Sequence, residues 1–230
     1  MLASPEPPAT PVPAQDAAEA ARYALLRRLA PSMRHHLVVN LQPIGMIYEV
    51  MDRRLRAPVP DLANVHESAH KINGFARAAL DSCLDVVSWL APEDGVTCTV
   101  EEGVRECTGL LATSLGFRGY VLRNRVESLP GRVRRAAIRN LLTAMLIQAT
   151  DTLQPPAELV LSGEARPDGA HLALQVQPGV GEGGFVAESG YRLLEWSDVQ
   201  ALADAEQVQL ARDDATGSVG LLLPWTAPDA

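Results

Sequence analysis

The strongest constraint in this chain is a pair of apolar stripes at helical spacing, set apart by a short proline-bearing stop. In the first stripe Leu26, Leu29, Met33, Leu37, Leu41, Ile44, Ile47, Met51 and Leu55 recur in steps of three and four, the pattern of a bundle seam. RAPVPD, residues 56–61, then places two prolines where a helix needs backbone N–H groups, so the helix must stop. The second stripe, Val65, Ala69, Ile72, Ala76, Ala79, Cys83, Val87 and Leu90, predicts a helix over 62–90. Two long amphipathic helices on a short loop form an antiparallel hairpin. A single hairpin leaves apolar surface uncovered, and pairing two copies into a four-helix bundle buries it. A homodimer is therefore expected. Asp16 is placed to cap the first helix, and Pro31 and Pro43 are each expected to kink or break it.

Around the hairpin the composition changes. Residues 1–14, MLASPEPPATPVPA, are too rich in Pro and Ala to bury enough apolar surface, so a disordered tail is expected over 1–15. The hairpin domain then covers 16–91, and PEDG at 92–95 marks its end. Beyond it the rhythm alternates: a strand at 96–100, a helix at 101–115, a strand at 119–123 and a long helix at 132–152. Period-two strands follow at 158–163 and 170–177, joined by a Pro-Asp-Gly turn. A glycine-rich stretch at 178–184 leads to a helix near 197–205, and strands at 208–212 and 219–223 complete the pattern. The expected fold class is α+β, with a second domain over 96–226 built as a small α/β sandwich.

Charge and cysteine usage narrow the function. A formal net charge of −8 argues against nucleic acid, whose binders carry a basic stripe. Cys83, Cys98 and Cys107 are too few and too irregular for a disulfide framework or a zinc site. The sequence contains no apolar run near the ~20 residues of a membrane span and no signal-peptide pattern. A cytoplasmic protein without membrane contact is the expectation.

The order of these elements, a long helical hairpin and then strands alternating with helices, resembles the histidine kinase core. That core is a dimerisation and phosphotransfer hairpin followed by a GHKL-type ATPase domain. The most informative stretch is MRHHLVVNLQPI, residues 33–44. With His35 on the family's phosphoacceptor position, Leu37, Leu41 and Ile44 fall on its apolar positions; with His36 there, the match is lost. Helix geometry agrees independently of the family. At about 100° per residue His35 lies roughly 200° from both Met33 and Leu37, away from the seam. His36 lies roughly 60° from Met33 and 100° from Leu37, nearer to it.

Three departures from the family pattern bear on function. The acidic residue that follows the acceptor in kinases is His36 here. The family's Asn-Leu-Leu-x-Asn-Ala appears as NLLTAM, so Asn140 is kept while the magnesium-ligand position is Ala144, whose methyl group cannot ligate a hard cation. The Asp-x-Gly-x-Gly box appears as QPGVG, with Gly179 and Gly181 kept and Gln177 in place of the adenine-binding Asp. No second glycine box is recognisable between 184 and 197. The resemblance thus implies a degenerate ATPase-like domain with no cofactor: ATP binding is not expected, and Mg²⁺ arrives in the partner.

The resemblance then implies a histidine phosphotransferase of a bacterial two-component phosphorelay. The partners expected on that reading are response-regulator receiver domains, with a hybrid histidine kinase among the candidate donors. Arg34 is positioned to offset charge on a phosphorylated His35, although an ordinary solvated arginine explains it equally well. His36, Val38, Val39 and Gln42 form the expected docking surface; packing of the two valines against the second helix is the alternative. Val39 stands where many family members carry Thr or Asn to orient water, so phosphatase activity should be weak. Two rival readings exist. One is a catalytically inactive, kinase-like protein that binds or sequesters a regulator or kinase. The other is zinc hydrolysis at HESAH, His66–Glu67–His70, which matches HExxH. That motif lacks the metzincin glycine, since Asn73 stands there, and Asp85 is the nearest candidate third ligand, so no metal site is expected.

Overall fold

The computed structural model describes residues 14–91, 94–180, 184, 191–213 and 217–226. Most of the expected tail lies outside these residues; helix α1, Ala14–Leu55, begins within its last two. Contrary to the expectation of a break, α1 runs as one helix through both Pro31 and Pro43. An interior proline costs about 3 kcal/mol. Burying each of Leu25, Leu29 and Met33 contributes roughly 1.5–3 kcal/mol, and the contact line with the second helix adds to that. Burial on both sides therefore outweighs the penalty at Pro31, while beyond Met33 the helix is carried past Pro43 by half-buried Leu37, Asn40, Ile44, Ile47 and Met51.

Helix α2, Leu62–Leu90, is started by Asp61, whose carboxylate accepts from the Asn64 N–H at 3.2 Å. It packs antiparallel on α1, but not through the stripe expected from sequence. Val65, Ile72 and Ala79 do face α1, joined by Ser68, Phe75, Ser82, Val86 and Trp89. Ala69, Ala76, Cys83, Val87 and Leu90 are exposed. The apolar arc of α2 is wider than one seam: the expected stripe runs down its middle, while α1 occupies only one edge.

The remaining chain forms an α/β body. Strand β1, Thr97–Thr99, leads into α3, Val100–Phe117, through a reciprocal capping box between Thr99 and Glu102. Then come β2 (Tyr120–Asn124), β3 (Arg132–Arg134), α4 (Arg135–Thr152), β4 (Ala157–Arg166), β5 (Gly169–Pro178), α5 (Trp196–Glu206), β6 (Gln209–Asp213) and β7 (Ser218–Pro224). Residues 132–134, expected as the first turn of α4, are instead a strand paired antiparallel with β1. The larger sheet has the order β2-β4-β5-β7-β6, with β2 parallel to β4 and the other pairs antiparallel. Its inner face carries Leu159, Leu161, Leu172, Leu174, Leu221 and Leu223, all buried beneath the helices.

One hydrophobic core joins the hairpin to this body. Ala21, Ala24, Leu25, Leu29 and Met33 of α1, with Trp89 of α2, belong to the same buried cluster as the α3, α4 and α5 side chains. The lower half of the hairpin, beyond Met33, projects from it.

Candidate phosphoacceptor site

His35 stands on the exposed side of α1, where the helix leaves the body. Its imidazole makes no hydrogen bond to any described residue; its recorded ring contact is an edge-on approach of His36 at 6.3 Å between centroids. Arg34 is exposed and forms no ion pair among the described residues. His36 is half-buried against α2, and one turn on Asn40 donates to Ser82 Oγ at 2.9 Å, pinning the two helices together. Val38 and Val39 are 45% and 50% exposed, so neither is packed under α2. Gln42 is exposed alongside them.

Beside His36 lies a notch of about 230 Å³ where α1, α2 and α3 meet. Met33, Val86, Trp89 and Leu110 make its apolar floor, and Asp81 and Asp85 stand on its α2 side.

Three ion networks, none of which was legible in the sequence, fix the hairpin against the body. Asp151, its side chain only 1% exposed, accepts from Arg28 of α1 at 2.5 and 2.6 Å and from the Leu194 N–H at 2.9 Å. Arg118 stands 3.6 Å away. Glu206, also buried, is held by Arg22 of α1 and by Arg134, each at 3.3 Å, and accepts from the Asn140 side chain at 2.9 Å. Arg139, 4% exposed, donates to Asp85 and Ser88 of α2 at 2.8 Å and to Glu106 at 2.7 Å, with its guanidinium over the Trp89 ring. Burial would raise the Glu106 carboxyl, but hydrogen bonds from Arg135 and Arg139 outweigh it and hold the group below the usual carboxylate range.

The positions matched to the kinase nucleotide site are differently employed. Asn140 is committed to Glu206 beneath α1, and Ala144 is sealed in the core. Gln177 is exposed and donates to Gln175 at 3.2 Å, on the face of β5 opposite Leu172 and Leu174. Gly179 lies so close to the start of β4 that a Cβ would meet the Ala157 nitrogen at 2.9 Å. Gly181 lies outside the described residues. A cleft of about 460 Å³ remains between the end of α4 and the ends of β4, β5 and β7, with Gln148, Val176 and Ser218 on its walls.

His66 and His70 are both exposed, and Glu67 between them is paired with Lys71 at 2.7 Å. Among the described residues no three His, Cys, Asp or Glu side chains cluster as a metal would require. Nor, among them, is any helix long and apolar enough to cross a membrane.

No protein-family model and no curated protein matches the chain. Solved structures do. The histidine kinase AdeS of Acinetobacter baumannii aligns at 13% identity over 84% of this chain and 98% of its own, with a TM-score of 0.44. A histidine kinase from Burkholderia phymatum aligns at 13% identity over 93% of this chain and 98% of its own, TM-score 0.43. A bacterial phosphotransferase aligns at 11% identity over 92% and 97%, also with a TM-score of 0.43.

The arrangement has a plain chemical capacity. An imidazole in the open, on a helix held rigidly from one side, can accept a group that another molecule delivers to it. The residues that hold it there were not anticipated. Ala18, Ala21 and Leu25 continue the α1 stripe toward the N-terminus at the same spacing, and that extension was the available signal.

Proposed function

We propose that the protein is a histidine phosphotransferase of a two-component phosphorelay. His35 accepts a phosphoryl group from a receiver-domain aspartate and passes it to a second receiver. In each transfer the aspartyl acyl-phosphate P–O bond and the imidazole P–N bond exchange: one breaks as the other forms, the leaving carboxylate or imidazole nitrogen takes the electron pair, and nothing is oxidised. Such transfers depend on positioning and charge neutralisation. The receiver brings its own Mg²⁺, and Arg34 is close enough in sequence to offset charge on the phosphorylated ring.

The observation that carries this reading is the pairing of a free, exposed His35 with a body that is tied down. Autophosphorylation would need a nucleotide's γ-phosphate to reach His35. Here Arg28, Arg22 and Arg139 fasten the hairpin to the body, and Asn140 is spent in one of those ties. The body is then a fixed wall beside His35, and Val38, Val39 and Gln42 form the docking surface below it.

The same reading includes a homodimer. The edge of the α2 arc that α1 leaves open carries Leu62, Ala69, Ala76, Leu80, Leu84 and Val87, and a second hairpin would cover it as in a four-helix bundle.

The experiment is direct. Candidate receivers are phosphorylated with a small phosphodonor and mixed with the full chain, and acid-labile label is followed onto it. Label should appear in the native chain and in His36→Ala but not in His35→Ala. Binding without any label would instead favour a sequestering protein, and label from ATP alone would overturn the proposal.

A further inference from the structure

The notch beside His36 is fitted for something more specific than general docking. Asp81 is exposed and forms no ion pair with any described residue. Asp85 gives one carboxylate oxygen to Arg139 and keeps its side chain half exposed. Asp81, Asp85 and Glu106 against Arg139 and Arg135 leave the cluster one negative charge in excess, with Asp81 at the rim. Below the rim Met33, Val86 and Leu110 offer aliphatic walls, and the Trp89 ring is already covered on one face by Arg139.

From this arrangement we infer that the notch receives a lysine or arginine side chain from a protein partner docked at His35. The aliphatic stem would lie on Met33, Val86 and Leu110, and the cationic head would reach Asp81 and the free oxygen of Asp85. Long basic side chains bury their stems on apolar surface while keeping the charge at a polar rim, and this notch offers both parts within one side chain's reach. A hydrated divalent cation would use only the two carboxylates and leave the apolar floor uncovered, whereas a basic side chain uses both.

The assignment makes Asp81 and Asp85 determinants of partner choice beside the phosphoacceptor. It rests on the phosphotransfer reading for the partner's identity, but not for the chemistry of the notch. Asp85 has a second consequence: it belongs both to the notch and to the Arg139 tie, so a cation bound there is sensed by the network that fastens α2 to the body.

The test uses the full chain with ¹³C-labelled histidine rings and ¹⁵N-labelled tryptophan indoles. N-acetyl-lysine amide is titrated in, with N-acetyl-norleucine amide as its uncharged match and MgCl₂ as a third arm. His36 and Trp89 signals should move saturably with the lysine probe and at least fivefold less with norleucine. Asp81→Asn should remove the response without changing the melting temperature, since Asp81 makes no contact the fold depends on. Equal responses to lysine and norleucine, no response to lysine, or a response to MgCl₂ alone would each overturn the assignment. The measurement needs neither phosphoryl donor nor receiver, so its failure and a failure of the relay reading are separate results.

Discussion

Removing the Arg28 side chain is the sharpest test of how the hairpin is held. Asp151 is 1% exposed and receives two hydrogen bonds from Arg28, with Arg118 a further 3.6 Å off and already bonded to Thr150. In Arg28→Ala the carboxylate keeps only the Leu194 N–H and a more distant guanidinium. Breaking a buried pair from one side costs about 3–5 kcal/mol. For a chain of this size that corresponds to a fall of roughly 6–20 °C in Tm at fixed protein concentration. Asp151→Asn should cost less than Arg28→Ala, because an arginine 9% exposed at its side chain can turn toward solvent more readily than a sealed carboxylate can. The double variant Arg28→Met with Asp151→Leu should recover most of the loss, since replacing a whole buried pair by apolar groups is often near neutral. Urea denaturation of the four proteins measures each cost. A cost below about 1 kcal/mol for Arg28→Ala, the range of an exposed pair, would show that α1 is not fastened to the body at this point.

Other outcomes follow from the same structure. In native protein at pH 8 Cys98 and Cys107 should stay unreactive, leaving at most Cys83 accessible, and all three thiols should react after denaturation: burial pushes Cys98 up to about 11 and Cys107 higher still. Two or three fast-reacting thiols in the native state would contradict the packing. Stability should fall on the acid side through Glu106 and Asp198, both held below the ordinary carboxylate range by arginine hydrogen bonds that outweigh burial. A depressed native pKa means the unfolded chain takes up the proton first. This stabilisation is therefore complete above about pH 5 and is lost as pH falls through the usual carboxylate value toward the native one. Glu106→Gln should be less stable at neutral pH and flatter in acid, read by urea midpoints across pH. Leu80→Glu with Val87→Glu should shift the mass measured by light scattering to that of a single chain.

Much of the element order was readable because it rests on local causes. The period-two runs of β4, β5 and β7 and the proline stop before α2 act within a few residues of themselves. What escaped depends on distant partners. Arg132–Arg134 forms a strand because Thr97–Thr99 lies beside it, and nothing in three residues announces that. The choice of Ser68, Phe75 and Ser82 over Ala69, Ala76 and Cys83 on α2 is made by α1, since a broad apolar arc has no intrinsic front. The local preference of Pro31 is overridden by burial on both sides, and that of Pro43 by half-buried neighbours along α2. Within the candidate site, the orientation of His35 followed from a count of helical degrees. The ties to Asp151 and Glu206 link residues 123 and 184 positions apart, and no reading of neighbours could pair them.

The shared core has a practical bearing on how this protein can be altered. Leu25, Leu29 and Met33 are sheltered by α3, α4 and α5, so a fragment ending near residue 91 would present that greasy flank to water and invite clumping. Heating the intact chain should give one cooperative melt, since a single buried cluster spans both halves. Damage deep in the sheet would thus be felt at His35, far from where it was inflicted.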